Sequence, residues 1–255
     1  MRFNDAIGAP TTWVTENHDV YRSVTRWGAN WPAHHHATAE PKESKVGKHY
    51  IATDAEIALG RKRARAGMLL MLALPGSTYI WQGQELGLEE VRDLADAERE
   101  DPEFINSKGE WVGRDGCRVP IPWTKAGKTF GFGPEDGQNS WLTQPRRWSE
   151  LSVEAQQADP DSMWHLTHNA LVLRRTMEAL GRGELRWRDD LVDDTDVLAF
   201  ERVDSSGAAG LVCIANLSSN DVTVPAASLV LASQPDIHIE HGRLTLPQDT
   251  CAWFI

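Results

Sequence analysis

Three polar side chains in a row, Asn17, His18 and Asp19, close a short run from Thr12 to Glu16 that alternates apolar and polar residues. Such a run reads as a β-strand whose end carries groups suited to chemistry. Taken alone, a strand-end His-Asp pair more often caps a turn. Glu85 follows a second β-type run and offers another carboxylate, though strand-end packing or hydrogen bonding is the commoner use of such a residue. Arg118, in a Gly- and Pro-rich stretch, reads equally well as a ligand-binding or an ordinary loop arginine. His34, His35 and His36 are adjacent, and adjacent histidines do not converge well on one ion, so a solvated loop is expected there and no metal site. Arg61, Lys62, Arg63 and Arg65 fit the wet face of an amphipathic helix rather than a nucleic-acid patch.

Composition narrows the function classes. The chain has 37 acidic against 26 basic residues, a formal charge of -11, which argues against a nucleic-acid surface and for solubility. Cys117, Cys213 and Cys251 are far apart and form neither a disulfide framework nor metal-type spacing, which fits a reducing, cytoplasmic compartment. Met1 to Ile7 lacks the features of a signal peptide, and no window approaches the ~20 apolar residues that a membrane span needs. Eleven tryptophans suit sugar rings, although most tryptophans simply fill cores.

The elements that must position these residues are legible in outline. A loop is expected from Gly28 to Tyr50. Thr53 to Glu56 has capping-box spacing and opens a helix over about 54–73, which Pro75-Gly76 stops. Ser77 to Gly83 then reads as a buried strand. Strand, helix and strand form a βαβ unit and imply parallel pairing. From Leu88 to Gln144 the chain is mainly loop, beginning with a helix-like acidic stretch, Glu89 to Glu100, and loops this long are usually functional. Met163, Leu166, Ala170, Leu173, Met177 and Leu180 mark one buried helix face. Beyond Gly183 come short runs, Val197–Val203, Leu211–Leu217, Val222–Pro225, Leu229–Ala232, Ile237–Glu240, Leu244–Leu246 and Ala252–Ile255, separated by turn residues. That pattern predicts a small antiparallel sandwich of ~70 residues.

Three segments carry a family resemblance. Thr12 to Asp19 resembles the seventh barrel strand of the α-amylase family, Gly76 to Gly87 its eighth, and Gly113 to Trp123 the Arg-Asp-x-x-Arg-x-Pro-Met-x-Trp segment of its oligosaccharide-cleaving α-glucosidases. Ser77, Thr78 and Gln84 depart from the usual eighth-strand pattern. Trp187 to Ile255 matches the general type of the family's C-terminal β-domain. The resemblance implies an α/β plus all-β chain: residues 1–182 the C-terminal end of a (β/α)8 barrel, about its last two βα units, and 183–255 a β-sandwich.

The same resemblance implies retaining hydrolysis of short α-glucosides without a cofactor. That chemistry is driven by two carboxyl groups, and Asp19 corresponds to neither of them. Asp19 matches the family's transition-state-stabilising aspartate, His18 and Arg118 match residues that contact the glucosyl unit, and Asn17 and Arg22 fit supporting roles, Arg22 as an ion-pair partner. Only eighteen residues precede Asp19, leaving the family's nucleophile and general acid no position, so a fragment inactive by itself is expected. Its expected partners are α-linked gluco-oligosaccharides once the barrel is completed, and a separate N-terminal barrel fragment. The alternative is a non-catalytic carbohydrate- or partner-binding protein.

Overall fold

A computed structural model describes residues 7–30 and 51–255; Met1 to Ala6 and His34 to His36 lie outside the described residues. In chain order the elements are β1 (Thr12–Val14), α1 (Ser23–Gly28), α2 (Asp54–Ala73), β2 (Ser77–Tyr79), α3 (Pro102–Asn106), α4 (Val153–Gln157), α5 (Met163–Thr176) and α6 (Glu178–Gly181). Strands follow: β3 (Glu184–Trp187), β4 (Val197–Val203), β5 (Ala209–Asn216), β6 (Val222–Pro225), β7 (Leu229–Ala232), β8 (Ile239–Glu240), β9 (Arg243–Leu246) and β10 (Thr250–Phe254). The described residues fall into two compact units. One is drawn from residues 7–14, Lys62–Tyr79 and Asp161–Ile255, the other from residues 15–30, 51–61 and Ile80–Pro160. None of the described helices is long and apolar enough to cross a membrane.

In the first unit β1 and β2 pair in parallel, Thr12 opposite Ser77 and Val14 opposite Tyr79, with the chain of α2 between them, as the βαβ reading expects. The joint at Gly76 has φ +101, and a Cβ there would collide with the Thr11 carbonyl, so only glycine makes this turn without displacing β1. Two guanidinium groups satisfy the carbonyls at the end of α2. Arg174 donates to Leu72, Leu74 (2.8 Å) and Gly76 (2.6 Å), and Arg202 donates to Ala73 and to Gly183 (2.7 Å). Basic side chains suit this end, where unpaired carbonyls concentrate negative charge.

The rest of that unit is β-structure. β3-β4-β5-β10-β7 form one antiparallel sheet and β6-β9-β8 another. Val197, Ala199, Val212, Ile214 and Phe254 from the larger sheet and Val224, Leu244 and Leu246 from the smaller bury one shared core. Alternation puts Phe200, Arg202, Cys213 and Trp253 on the larger sheet's opposite face, yet these are also buried. Close approach of Gly210 to Ala179 in α6 shows why: a helical layer covers that face.

Two expectations about helices need correction. Glu89 to Glu100 forms no helix beyond a 3-10 turn at Asp96–Glu98. Glu89 and Glu90 are buried rather than solvated, and Glu89 takes hydrogen bonds from Arg61 (3.0 Å), Arg147 (2.6 Å) and the Trp148 indole (3.0 Å). Tertiary partners thereby override local helix propensity. The single helix implied by Met163 to Leu180 breaks at Met177, which is extended (φ -90, ψ 117) and separates α5 from α6. Apolar spacing continues across the break, so periodicity does not register it. β3 lies outside the strands read from the sequence, and β2 ends at Tyr79 rather than Gly83.

Candidate active site

The chain leaves β1 through Thr15 and Glu16 into Asn17-His18-Asp19, and all the groups described next belong to the second unit. Gln84 Nε2 donates to Thr15 Oγ1 (2.7 Å), tying the segments that follow the two parallel strands. Glu16 is buried and accepts from the backbone N–H (2.8 Å) and the hydroxyl of Ser23. Burial raises the Glu16 carboxyl above its ordinary range, against the opposing pull of Arg22 and these hydrogen bonds. Asn17 Oδ1 accepts the Asp19 N–H at 2.8 Å, an Asx turn that fixes the backbone of the carboxylate itself.

Asp19 is held from both sides. Its Oδ1 accepts from Arg114 Nη1 at 2.8 Å and Arg118 Nη2 at 3.3 Å, while Oδ2 lies 3.2 Å from His18 Nε2. Arg118 Nε also donates to the His18 carbonyl at 3.0 Å. The Asp19 side chain is 47% exposed and that of His18 62%, so both groups are open to a ligand. Trp81 stands beside His18, ring centroids 6.0 Å apart, with its Nε1 donating to the Cys117 carbonyl at 3.0 Å.

A buried carboxylate orients the arginines. Asp101, whose side chain is 0% exposed, accepts from Arg114 Nε at 2.6 Å and from the Arg114 N–H at 3.0 Å, and lies 3.9 Å from Arg118 Nη1. Burial would raise the Asp101 carboxyl, but the Arg114 side chain and the Glu103 and Arg114 N–H groups outweigh it and hold the group below its ordinary range. Asp101 in turn raises Arg114. The two arginines pair with Asp19 and Asp101, so two guanidinium groups and two carboxyl groups meet in one cluster whose hydrogen-bonding groups suit a hydroxyl-bearing ligand.

The turn Asp115–Arg118 that carries Arg118 is anchored beneath. Arg22 is fully buried; its guanidinium donates to the carbonyls of Gln82 (2.9 Å) and Cys117 (3.0 Å) and stacks over Trp148. The nearest carboxylate oxygen to that guanidinium is Glu16 Oε2 at 3.9 Å, whereas Glu90 accepts from the Arg22 backbone N–H at 2.9 Å. Burial pushes the Glu90 carboxyl up to about 7 and the Cys117 thiol up to about 12. A Cβ on Gly116 would strike the Val91 carbonyl and the Glu90 carboxylate, so the turn rests directly on this segment.

The structure thus brings His18, Asp19, Asn17 and Arg118 together and places Arg22 in the support beneath Arg118. Glu85 stands in a local turn contact, accepting from the Gly83 N–H at 2.8 Å, and burial raises its carboxyl. Arg114 and Asp101 escaped the sequence reading: Arg114 lies in the quoted Arg-Asp-x-x-Arg segment, where its spacing to Arg118 was the available signal, and Asp101 sits among acidic neighbours that mask it. Among the described residues no group of three or more metal-ligating side chains converges.

Comparison with known proteins gives the cluster a setting. The alpha amylase catalytic domain model matches residues 4–183. The chain is 29% identical over 214 residues to a probable alpha-glucosidase of Rhizobium meliloti, covering 83% of this chain and 32% of that protein. It is 30% identical over 245 residues to a glucan 1,6-alpha-glucosidase of Streptococcus pneumoniae, covering 88% and 39%. Among solved structures, the alpha-glucosyl transfer enzyme XgtA superposes with a TM-score of 0.69 at 27% identity over 99% of this chain and 43% of that one. The chain spans about a third of the length of the curated relatives it matches.

Proposed function

The chain belongs to the α-amylase catalytic-domain family, and from that premise we propose that it is the C-terminal part of an α-glucosidase that hydrolyses short α-glucosides with retention. In this reading β1, α2 and β2 belong to the last βα units of a (β/α)8 barrel within residues 1–182, and residues 183–255 form the β-domain. The observation that carries it is the convergence of Arg114, Arg118 and His18 on the half-exposed carboxylate of Asp19.

Glycoside cleavage passes through an oxocarbenium-like state, with one carboxyl group protonating the leaving oxygen and a second attacking the sugar carbon. Asp19 performs neither step. Its carboxylate accepts sugar hydroxyls and faces the positive charge that develops on the ring, a preorganised electrostatic contact. His18 and Arg118 donate to hydroxyls of the same ring. Arg114 and Asp101 hold Asp19 oriented, Asn17 fixes its turn, and Arg22 positions Arg118 through the Cys117 carbonyl. In this reading the nucleophile and the acid are two further carboxyl groups, distinct from those of the Asp19 cluster.

The test is complementation. Fusing or co-expressing the N-terminal barrel portion of a related α-glucosidase should produce cleavage of an aryl α-glucoside with retained anomeric configuration. A folded, completed barrel that binds but never cleaves the substrate would overturn the enzymatic reading.

A further inference from the structure

A second place in the molecule, sharing no residue with the Asp19 cluster, has the makings of a ligand site. β3 is an edge strand of the five-stranded sheet, and it ends on Trp187, which is 44% exposed. The indole meets the buried Phe200 ring edge-to-face, centroids 5.9 Å apart, so its orientation is fixed by the sheet rather than left free. Beside it opens a groove of about 410 Å³ lined by Trp187, Asp189, Asp193, Asp194, Thr195 and the start of β4.

The wall of the groove is preorganised. Arg188 donates its backbone N–H to Ala199 (3.0 Å) and its guanidinium to both oxygens of Asp190 (2.8 Å each) and to Glu201 (3.4 Å). Asp194 accepts the Asp196 N–H with its side chain (2.9 Å) and the Val197 N–H with its carbonyl (3.1 Å). Leu191 and Val192 pack on the shared core. By contrast, Asp189, Asp193 and Thr195 have no hydrogen-bond or ion-pair partner among the described residues.

Chemistry selects the ligand. No basic side chain lines the groove, which excludes phosphates and acidic polymers. The carboxylates do not converge into a metal-binding group among the described residues. What an aromatic face and free carboxylates accommodate together is a neutral ring with one apolar face and hydroxyls around its edge. We propose that the Trp187 groove binds a pyranose unit of an α-linked gluco-oligosaccharide; the sugar stacks on the indole while Asp189 and Asp193 accept its hydroxyls. The choice of α-linked glucose rests on the function proposed above.

The test is an NMR titration of the 255-residue chain with maltotriose, cellotriose and sorbitol, following the indole Nε1–H of Trp187, assigned by its loss in Trp187→Phe. Maltotriose should shift that resonance saturably, in the wild type and equally in Asp19→Asn. Asp193→Asn, at an exposed position that folding tolerates, should weaken the midpoint about tenfold, the worth of one charged hydrogen bond. A Trp187 resonance that maltotriose leaves unmoved, or a response that sorbitol reproduces, overturns the site, and an equal response to cellotriose overturns its assignment to α-linked glucose. A completed barrel that fails to cleave while Trp187 still responds to maltotriose would overturn the activity and leave the groove standing.

Discussion

At the scale of single residues, Asp19 is defined by its neighbours more than by its type. Two guanidinium groups and an imidazole surround it, and the buried Asp101 fixes one of them. In the completed enzyme Asp19→Asn should lower kcat by about 10²–10³, the usual loss when a contact to developing charge is removed. Arg114→Ala should lower kcat through misorientation and be partly rescued by Arg114→Lys, a split that a purely structural role would not give. The two buried carboxylates predict opposite pH dependences of stability. Asp101 is depressed, so its contribution is present above its unfolded pKa and lost as pH falls through the lower folded value. Glu90 is raised from 4.5 to about 7, so its contribution is present below 4.5 and lost as pH rises through about 7. Glu90→Gln should therefore be more stable than wild type at about pH 8 and no better at about pH 5, measured by denaturant unfolding. His18, Asp19 and Arg118 were legible in the sequence because each lies in a short contiguous pattern. Asp101 was not, since its role comes from a contact with Arg114 that no local spacing encodes.

At the scale of elements, local signals worked where local physics decides. The Thr53 to Glu56 pattern is realised: the Glu56 carboxylate accepts the Thr53 N–H at 2.8 Å and Thr53 Oγ1 accepts the Glu56 N–H at 3.3 Å. Pro75-Gly76 likewise stops α2 because the turn demands a glycine. The acidic stretch at Glu89 misled because burial of its carboxylates against Arg61, Arg147 and Trp148 is a tertiary fact. The end of α2 offers a test of such long-range support. Arg174→Met keeps the apolar stem of that side chain but leaves carbonyls of Leu72, Leu74 and Gly76 without their donor, and should cost ~3 kcal/mol in chemical denaturation. Gly116→Ala should leave the first unit's stability unchanged and displace the turn bearing Arg118, read as a loss of sugar affinity in the completed enzyme.

At the scale of the whole molecule, the β-sandwich was legible as alternating short strands, and its third, helical layer was not. Buried Arg202 and Trp253 on the sheet's outer face, with α6 close against Gly210, make residues 161–255 cohere more widely than the strands alone. Limited proteolysis should accordingly leave a C-terminal fragment that retains α5 and α6, starting near residue 161 rather than near 183. β1 and β2 form only a two-stranded sheet among the described residues, with Val14 46% and Tyr79 62% exposed. Pairs of that size are marginal by themselves. This agrees with a chain that spans about a third of the length of its curated relatives. The most direct measurement is turnover of an aryl α-glucoside by three samples: residues 1–255 alone, the same chain completed with the N-terminal barrel portion of a related α-glucosidase, and the completed chain carrying Asp19→Asn. The first sample should show no enzymatic turnover, the second should turn over, and the third should lose about 10²–10³ of that rate; enzymatic turnover by residues 1–255 alone, or a completed enzyme indifferent to Asp19→Asn, would show that Asp19 does not have the role proposed for it.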